Sequence, residues 1–112
     1  KIEKSAQFGE SIELSKNNLN IRINNFEIPE NSNKFNITLD FSTVNEQGLN
    51  QDILFDYLLY DENKNILASS YQYSGKNKFN SLTLYLHNIQ YKELYKTDQI
   101  VENTDFLFNF HK

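Results

Sequence analysis

The sequence predicts an all-β domain of stacked antiparallel sheets, and three observations carry that expectation. Apolar residues recur with a period of two along most of the chain, the pattern of strands with one buried face. The apolar mass sits in residues that favour strands, with nine Phe and seven Tyr among 112 residues. Polar turn clusters interrupt the alternation roughly every ten residues, and no stretch carries a convincing helical period.

Residues 1–7 show no clear alternation and are expected to form a flexible tail, leaving 8–112 as a single domain. From Phe8 to Leu14 the alternation is weak. Between Leu19 and Ile28 it is strong, with Leu19, Ile21 and Ile23 on one face. The apolar set then moves to Phe26 and Ile28, so a bulge or strand switch is predicted at Asn24 and Asn25. Pro29 ends this strand. Phe35, Ile37, Leu39 and Phe41 alternate with polar neighbours, as in a half-buried antiparallel strand. The stretch Asn45 to Asp52 reads as its exit loop.

Ile53 to Tyr60 is apolar on both faces apart from Asp56, as expected of a central strand covered on both sides. A tight polar turn, with Asn65 as the natural residue for a left-handed position, joins it to Ile66–Tyr73. Ser74 to Lys78 forms the next turn. Phe79 to Ile89 then sets Leu82, Leu84 and Leu86 against Thr83, Tyr85 and His87. Tyr91, Leu94 and Tyr95 fall at helical spacing, which predicts one short helical turn near 89–96. The final strand, Thr104 to His111, places Phe106, Phe108 and Phe110 on one face.

Seven such strands predict a seven-stranded antiparallel immunoglobulin-like sandwich, with a small β-barrel as the alternative. The chain has neither Cys nor Trp, so packing must fall to phenylalanines and leucines, and disulfides and thiolate chemistry are excluded.

The net charge is −4 and Arg22 is the single arginine, which argues against nucleic acid as a partner, since phosphate neutralisation needs clustered Lys and Arg. No apolar run is long enough to span a membrane as a helix, and no secretory signal is visible. With Lys1 first and no Met anywhere, the chain is expected to be a mature product or an excised piece. The seventeen asparagines, with abundant Lys, Ile, Phe and Tyr, share AT-rich codons, so they call for no chemical explanation.

Candidate chemistry is sparse. Asp61-x-Asn63-x-Asn65 matches the opening ligand spacing of a calcium loop, yet Ile66 stands where the loop's glycine belongs and Gln72 where its bidentate glutamate belongs. A hairpin turn rich in Asx residues produces the same letters. His87 and His111 lie on separate strands and read as surface imidazoles. With glycine only at positions 9, 48 and 75, the chain has no strained elbow for a nucleophile and no phosphate cradle. No catalytic residue and no cofactor are therefore expected. Tyr57, Tyr71, Tyr73 and Tyr85 sit on strands that could be neighbours, and a row of tyrosines on one sheet face could hold a sugar. Self-association through an unpaired edge strand is a further possibility, with Phe106 to Phe110 the first suspect.

The segment Phe35 to Leu86 contains Tyr60-Asp61-Glu62-Asn63-Lys64-Asn65-Ile66-Leu67 between two apolar strands. It resembles extracytoplasmic immunoglobulin-like domains of secreted, lipid-anchored or membrane-anchored proteins of low-GC Gram-positive bacteria. The outer domains of membrane-anchored anti-sigma factors and of small lipoproteins look similar. That resemblance implies a scaffold or sensing role outside the cell. A protein or cell-envelope partner is expected, with membrane attachment only through an anchor outside this sequence. It transfers no catalytic residue. The expected function is that of a non-catalytic extracytoplasmic module, with carbohydrate binding by the tyrosine face as the rival.

Overall fold

Two β-sheets enclose one apolar layer in the computed structural model, which describes residues 1–27, 36–45, 48–50, 52–69 and 79–112. Nine strands occur among them: β1 (Ile2–Gln7), β2 (Ile12–Lys16), β3 (Leu19–Glu27), β4 (Asn36–Thr43), β5 (Leu54–Asp61), β6 (Ile66–Ser69), β7 (Ser81–Tyr91), β8 (Ile100–Glu102) and β9 (Phe106–His111). The smaller sheet is the antiparallel meander β2-β3-β4. The larger has the order β1-β9-β7-β5-β6, with β8 pairing the far end of β7. No helix occurs among the described residues.

Side-chain parity builds the layer. Leu19, Ile21 and Ile23 of β3 are fully buried, and Phe26 is 2% exposed. An odd-numbered set can be continued by an even-numbered residue only if one residue is inserted, and the β3–β4 register shifts between Ile23 and Asn25, where the sequence predicted it. A second insertion lies in β7. There Leu82, Leu84 and Leu86 face inward, followed by Ile89 and Tyr91, all at most 1% exposed. Asn88 between them has φ 53° and donates a side-chain hydrogen bond to Asp56 Oδ2 at 2.9 Å. Asparagine is the non-glycine residue best suited to that backbone region.

Phe106, Phe108 and Phe110 of β9 complete the inner wall of the larger sheet, each 0% exposed. Phe110 stacks on Phe26 across the layer, with centroids 5.0 Å apart and planes at 15°. Phe41 of β4 meets Phe55 of β5 at 5.2 Å on the other flank. These ring contacts join the two sheets in the role that the sequence assigned to phenylalanines.

The described residues form nine strands rather than the seven expected from the sequence. Residues 2–7 are a strand, not a tail: β1 lies parallel to β9 and turns Ile2 and Ala6 onto the core. Its alternation escaped notice because Lys4 occupies the inward parity between them. The β9 strand is consequently flanked by β1 and β7 and is no free edge. The helical turn near 89–96 is absent, since Tyr91 continues β7 and pairs with Ile100 of β8. Glu93 instead bridges to Leu49, and a turn closes from Lys96 N–H to the Glu93 carbonyl at 3.1 Å. In the β5–β6 turn the left-handed residue is Lys64, φ 63°, not Asn65. On β5 the outer face is not fully covered, Leu54 being 60% exposed. Of the predicted strand Ile66–Tyr73 and the turn at 74–78, residues 70–78 lie outside the described set.

Because β1 shields one edge of β9 and part of the core, deleting residues 1–7 should lower unfolding stability by about 2–3 kcal/mol. Urea denaturation checks this, and an unchanged midpoint would contradict the β1 assignment.

Candidate functional site

The end of the sandwich where β2 turns into β3, β4 leaves for β5 and β7 leaves for β8 is held by a polar network centred on Glu93. This residue is 6% exposed. Asn18, in the β2–β3 turn, donates its Nδ2 to Glu93 Oε1, and Lys96 Nζ lies 3.0 Å from Oε2. The backbone carbonyl of Glu93 accepts Asn50 Nδ2 at 3.3 Å. Gly48, φ 74°, donates its N–H to Thr43 Oγ1 at 2.8 Å and accepts from the Leu94 N–H at 3.2 Å. Its positive φ is the reason that glycine suits this position. Three loops thus meet at Glu93, the β2–β3 turn through its carboxylate and the β4–β5 connection through its backbone carbonyl.

Glu102 repeats the device on the neighbouring strand. It is 6% exposed and accepts Asn17 Nδ2 at 3.2 Å and the Thr104 N–H at 3.1 Å. Tyr91, 1% exposed, is pushed above the ordinary phenol pKa by burial, then by the charges of Glu102 and Glu93. Glu93 is held below the ordinary carboxyl value, chiefly by its hydrogen bond from Lys96 and then by that from Asn18.

Two clefts open on this network. One, of about 560 Å³, has Asn17, Tyr91, Glu102 and Asn103 in its wall. The second, of about 450 Å³, is bordered by Tyr95, Thr97 and Asp98, and the two share Glu93 and Ile100. Tyr95 projects from the turn at φ 66° with 95% of its surface exposed.

The residues singled out in the sequence are arranged differently. Tyr57 packs against the core, whereas Tyr85 lies on the opposite, outer face of the larger sheet, so these two do not share a row. Tyr71 and Tyr73 lie outside the described residues. Tyr85 stacks on His87 with centroids 4.8 Å apart and donates its hydroxyl to Asp105 Oδ2 at 2.6 Å. That hydrogen bond, followed by burial, raises its pKa. Leu58, paired with Tyr85, and Tyr60 share this outer face, and Leu107 there is only 6% exposed. Tyr60 escaped the sequence reading because β5 is apolar on both faces, which hides its parity.

Asp61, Asn63 and Asn65 do come together, as a turn. Asp61 Oδ1 accepts the N–H groups of Asn63 and Asn65, each at 2.9 Å, and Oδ2 accepts Asn65 Nδ2 at 3.3 Å. The carboxylate is therefore engaged by its own loop, the Asx arrangement that the composition allowed. No group of three or more His, Cys, Asp or Glu is placed to hold a metal among the described residues. His111 contacts the Lys112 carbonyl through Nδ1 at 3.1 Å.

Glu93, Glu102 and Asn18 were not legible as a group. Seventy-five residues separate Asn18 from Glu93, and only the fold brings them together. Comparison with protein-family models, with curated proteins and with solved structures finds no match.

The depressed pKa of Glu93 fixes a sign. Its contribution to stability is fully present above the ordinary carboxyl value of 4.5 and is lost as pH falls through the lower folded value. Glu93→Gln should therefore melt at a lower temperature at neutral pH and show a shallower loss of melting temperature on acidification. Parallel melting curves for the two proteins at every pH below 4.5 would contradict this linkage.

Proposed function

We propose that this chain is a non-catalytic, extracytoplasmic β-sandwich module of a bacterial cell-surface or lipid-anchored protein, acting as a scaffold or sensing domain through surface contacts. The observation that carries the reading is the division of labour among side chains. Inward-facing apolar residues form one layer shielded from solvent, and among the described residues every buried side-chain nitrogen or oxygen has a hydrogen-bond partner. Glu93 and Glu102, the acids best shielded from water, serve to fasten loops. Contacts are left to outer faces and loop ends, where a rigid scaffold commonly carries function.

The immunoglobulin-like type is part of this proposal. Support comes from two sheets packed over one apolar core, whereas the parallel pairing of β1 with β9 departs from the antiparallel sandwich expected from the sequence. The meander of three consecutive strands in the smaller sheet departs from the usual Greek-key order.

The outer face of the larger sheet offers a contact surface through Leu58, Tyr60, Tyr85 and His87, while the smaller sheet presents Arg22, Thr38 and Asp40 to water. A photo-crosslinking residue placed at Leu58 in the protein's native host should give a defined adduct on intact cells, and one at Thr38 should not. A membrane-impermeant amine reagent should label Lys64 before lysis. Adducts from Thr38 alone, or labelling of Lys64 only after lysis, would overturn the reading.

A further inference from the structure

Among the described residues, the large hydrophobic side chains left exposed are Val44, Leu54, Tyr95 and Val101 at one end of the sandwich and Ile66 at the other. Tyr95 is the extreme case, at 95% exposure. It occupies the third position of the turn closed by Lys96 N–H and the Glu93 carbonyl, with φ 66°. A positive φ at that place ordinarily selects glycine or asparagine. Tyrosine carries a steric cost there, and its ring recovers little of that cost by packing within the domain. The Leu94 bond to Gly48 and the Lys96 ion pair to Glu93 nevertheless hold the turn in place.

The ring borders the smaller of two clefts, beside the hydroxyl of Thr97, and this cleft shares Glu93 and Ile100 with the larger one, whose wall carries the carboxamides of Asn17 and Asn103 and the carboxylate of Glu102. Glu102 is oriented by Asn17 and by the Thr104 N–H, so its carboxylate is fixed in direction. The charged groups of the two walls are Lys16 and Lys96 against Glu93, Glu102 and Asp98, a slight negative excess that disfavours an anionic ligand.

We propose that this loop end is an oligosaccharide-binding site, in which Tyr95 at the smaller cleft stacks on the C–H face of one pyranose and Asn17, Glu102 and Asn103 in the adjoining larger cleft meet the hydroxyls of a neighbouring sugar unit. A neutral sugar combines the two surfaces that the site presents, an apolar face for an exposed ring and a rim of hydroxyls for fixed amide and carboxylate groups. The cleft of about 560 Å³ has room for a short oligosaccharide. The site uses none of Tyr57, Tyr71, Tyr73 or Tyr85, and it does not depend on the outer-face contact proposed above.

The test uses the 112-residue chain and three probes, the β-1,4-linked tetramer of N-acetylglucosamine, cellotetraose and maltotetraose. Each is titrated into isotopically labelled protein while amide shifts are followed by NMR. At least one probe should give saturable shifts centred on Asn17, Tyr95, Val101 and Asn103. Tyr95→Gly should weaken that binding about tenfold or more, with a melting temperature equal to or above that of the native protein. Tyr95→Trp should retain binding. The inference is overturned if no probe gives saturable shifts, if the shifts centre elsewhere, if Tyr95→Gly binds as the native chain does, or if Tyr95→Trp loses binding.

Discussion

The structure depends on two changes of side-chain parity, one in β3 and one in β7. A strand repeats every two residues, so an uninterrupted run that buries Leu19, Ile21 and Ile23 would turn Phe26 to water. The insertion near Asn24 returns Phe26 to the layer, where it stacks on Phe110. In β7 the same correction at Asn88 carries burial from Leu86 to Ile89 and Tyr91. Without it, the far end of β7 would present Gln90 to the core and send Tyr91 outward. The loop network would then lose the floor on which Glu93 and Glu102 are arranged.

Where one strand carries a clean alternation, the sequence was sufficient. The meander strands β3 and β4, the leucine face of β7, the phenylalanine face of β9 and the bulge in β3 could all be read because each depends on residues a few positions apart. The bulge in β7 could not. Its marker, Asn88, is one of many asparagines in the chain, and Leu82 to Leu86 satisfied the pattern before the shift occurred. The β1 strand was obscured by Lys4 on its inward parity, and β8 by its length of three residues. The spacing of Tyr91, Leu94 and Tyr95 suits one helical turn as well as a strand followed by a tight turn. Pairing with Ile100 and Leu49 decides between them, and such distant pairings leave no local trace.

The candidate site was less legible than the fold for the same reason. Asp61, Asn63 and Asn65 stood out because they are adjacent, and their hydrogen bonds show them serving the hairpin itself. The groups that shape the loop end come from the β2–β3 turn, the β4–β5 connection and the segments around β8. Each is unremarkable alone. Glu93 acquires its role from Asn18, Lys96 and burial together, and Tyr95 becomes conspicuous only when its backbone angle and exposure are considered jointly.

The two sheets are joined across one packed apolar layer in which Phe26 stacks on Phe110. A double-mutant cycle of Phe26→Leu and Phe110→Leu, followed by chemical denaturation, measures that contact. Stacked rings should give a coupling of about 1 kcal/mol between the two substitutions, each of which alone destabilises the fold. Effects that add to within a few tenths of a kcal/mol would mean that the rings do not meet in solution, and would contradict the arrangement on which the rest is built.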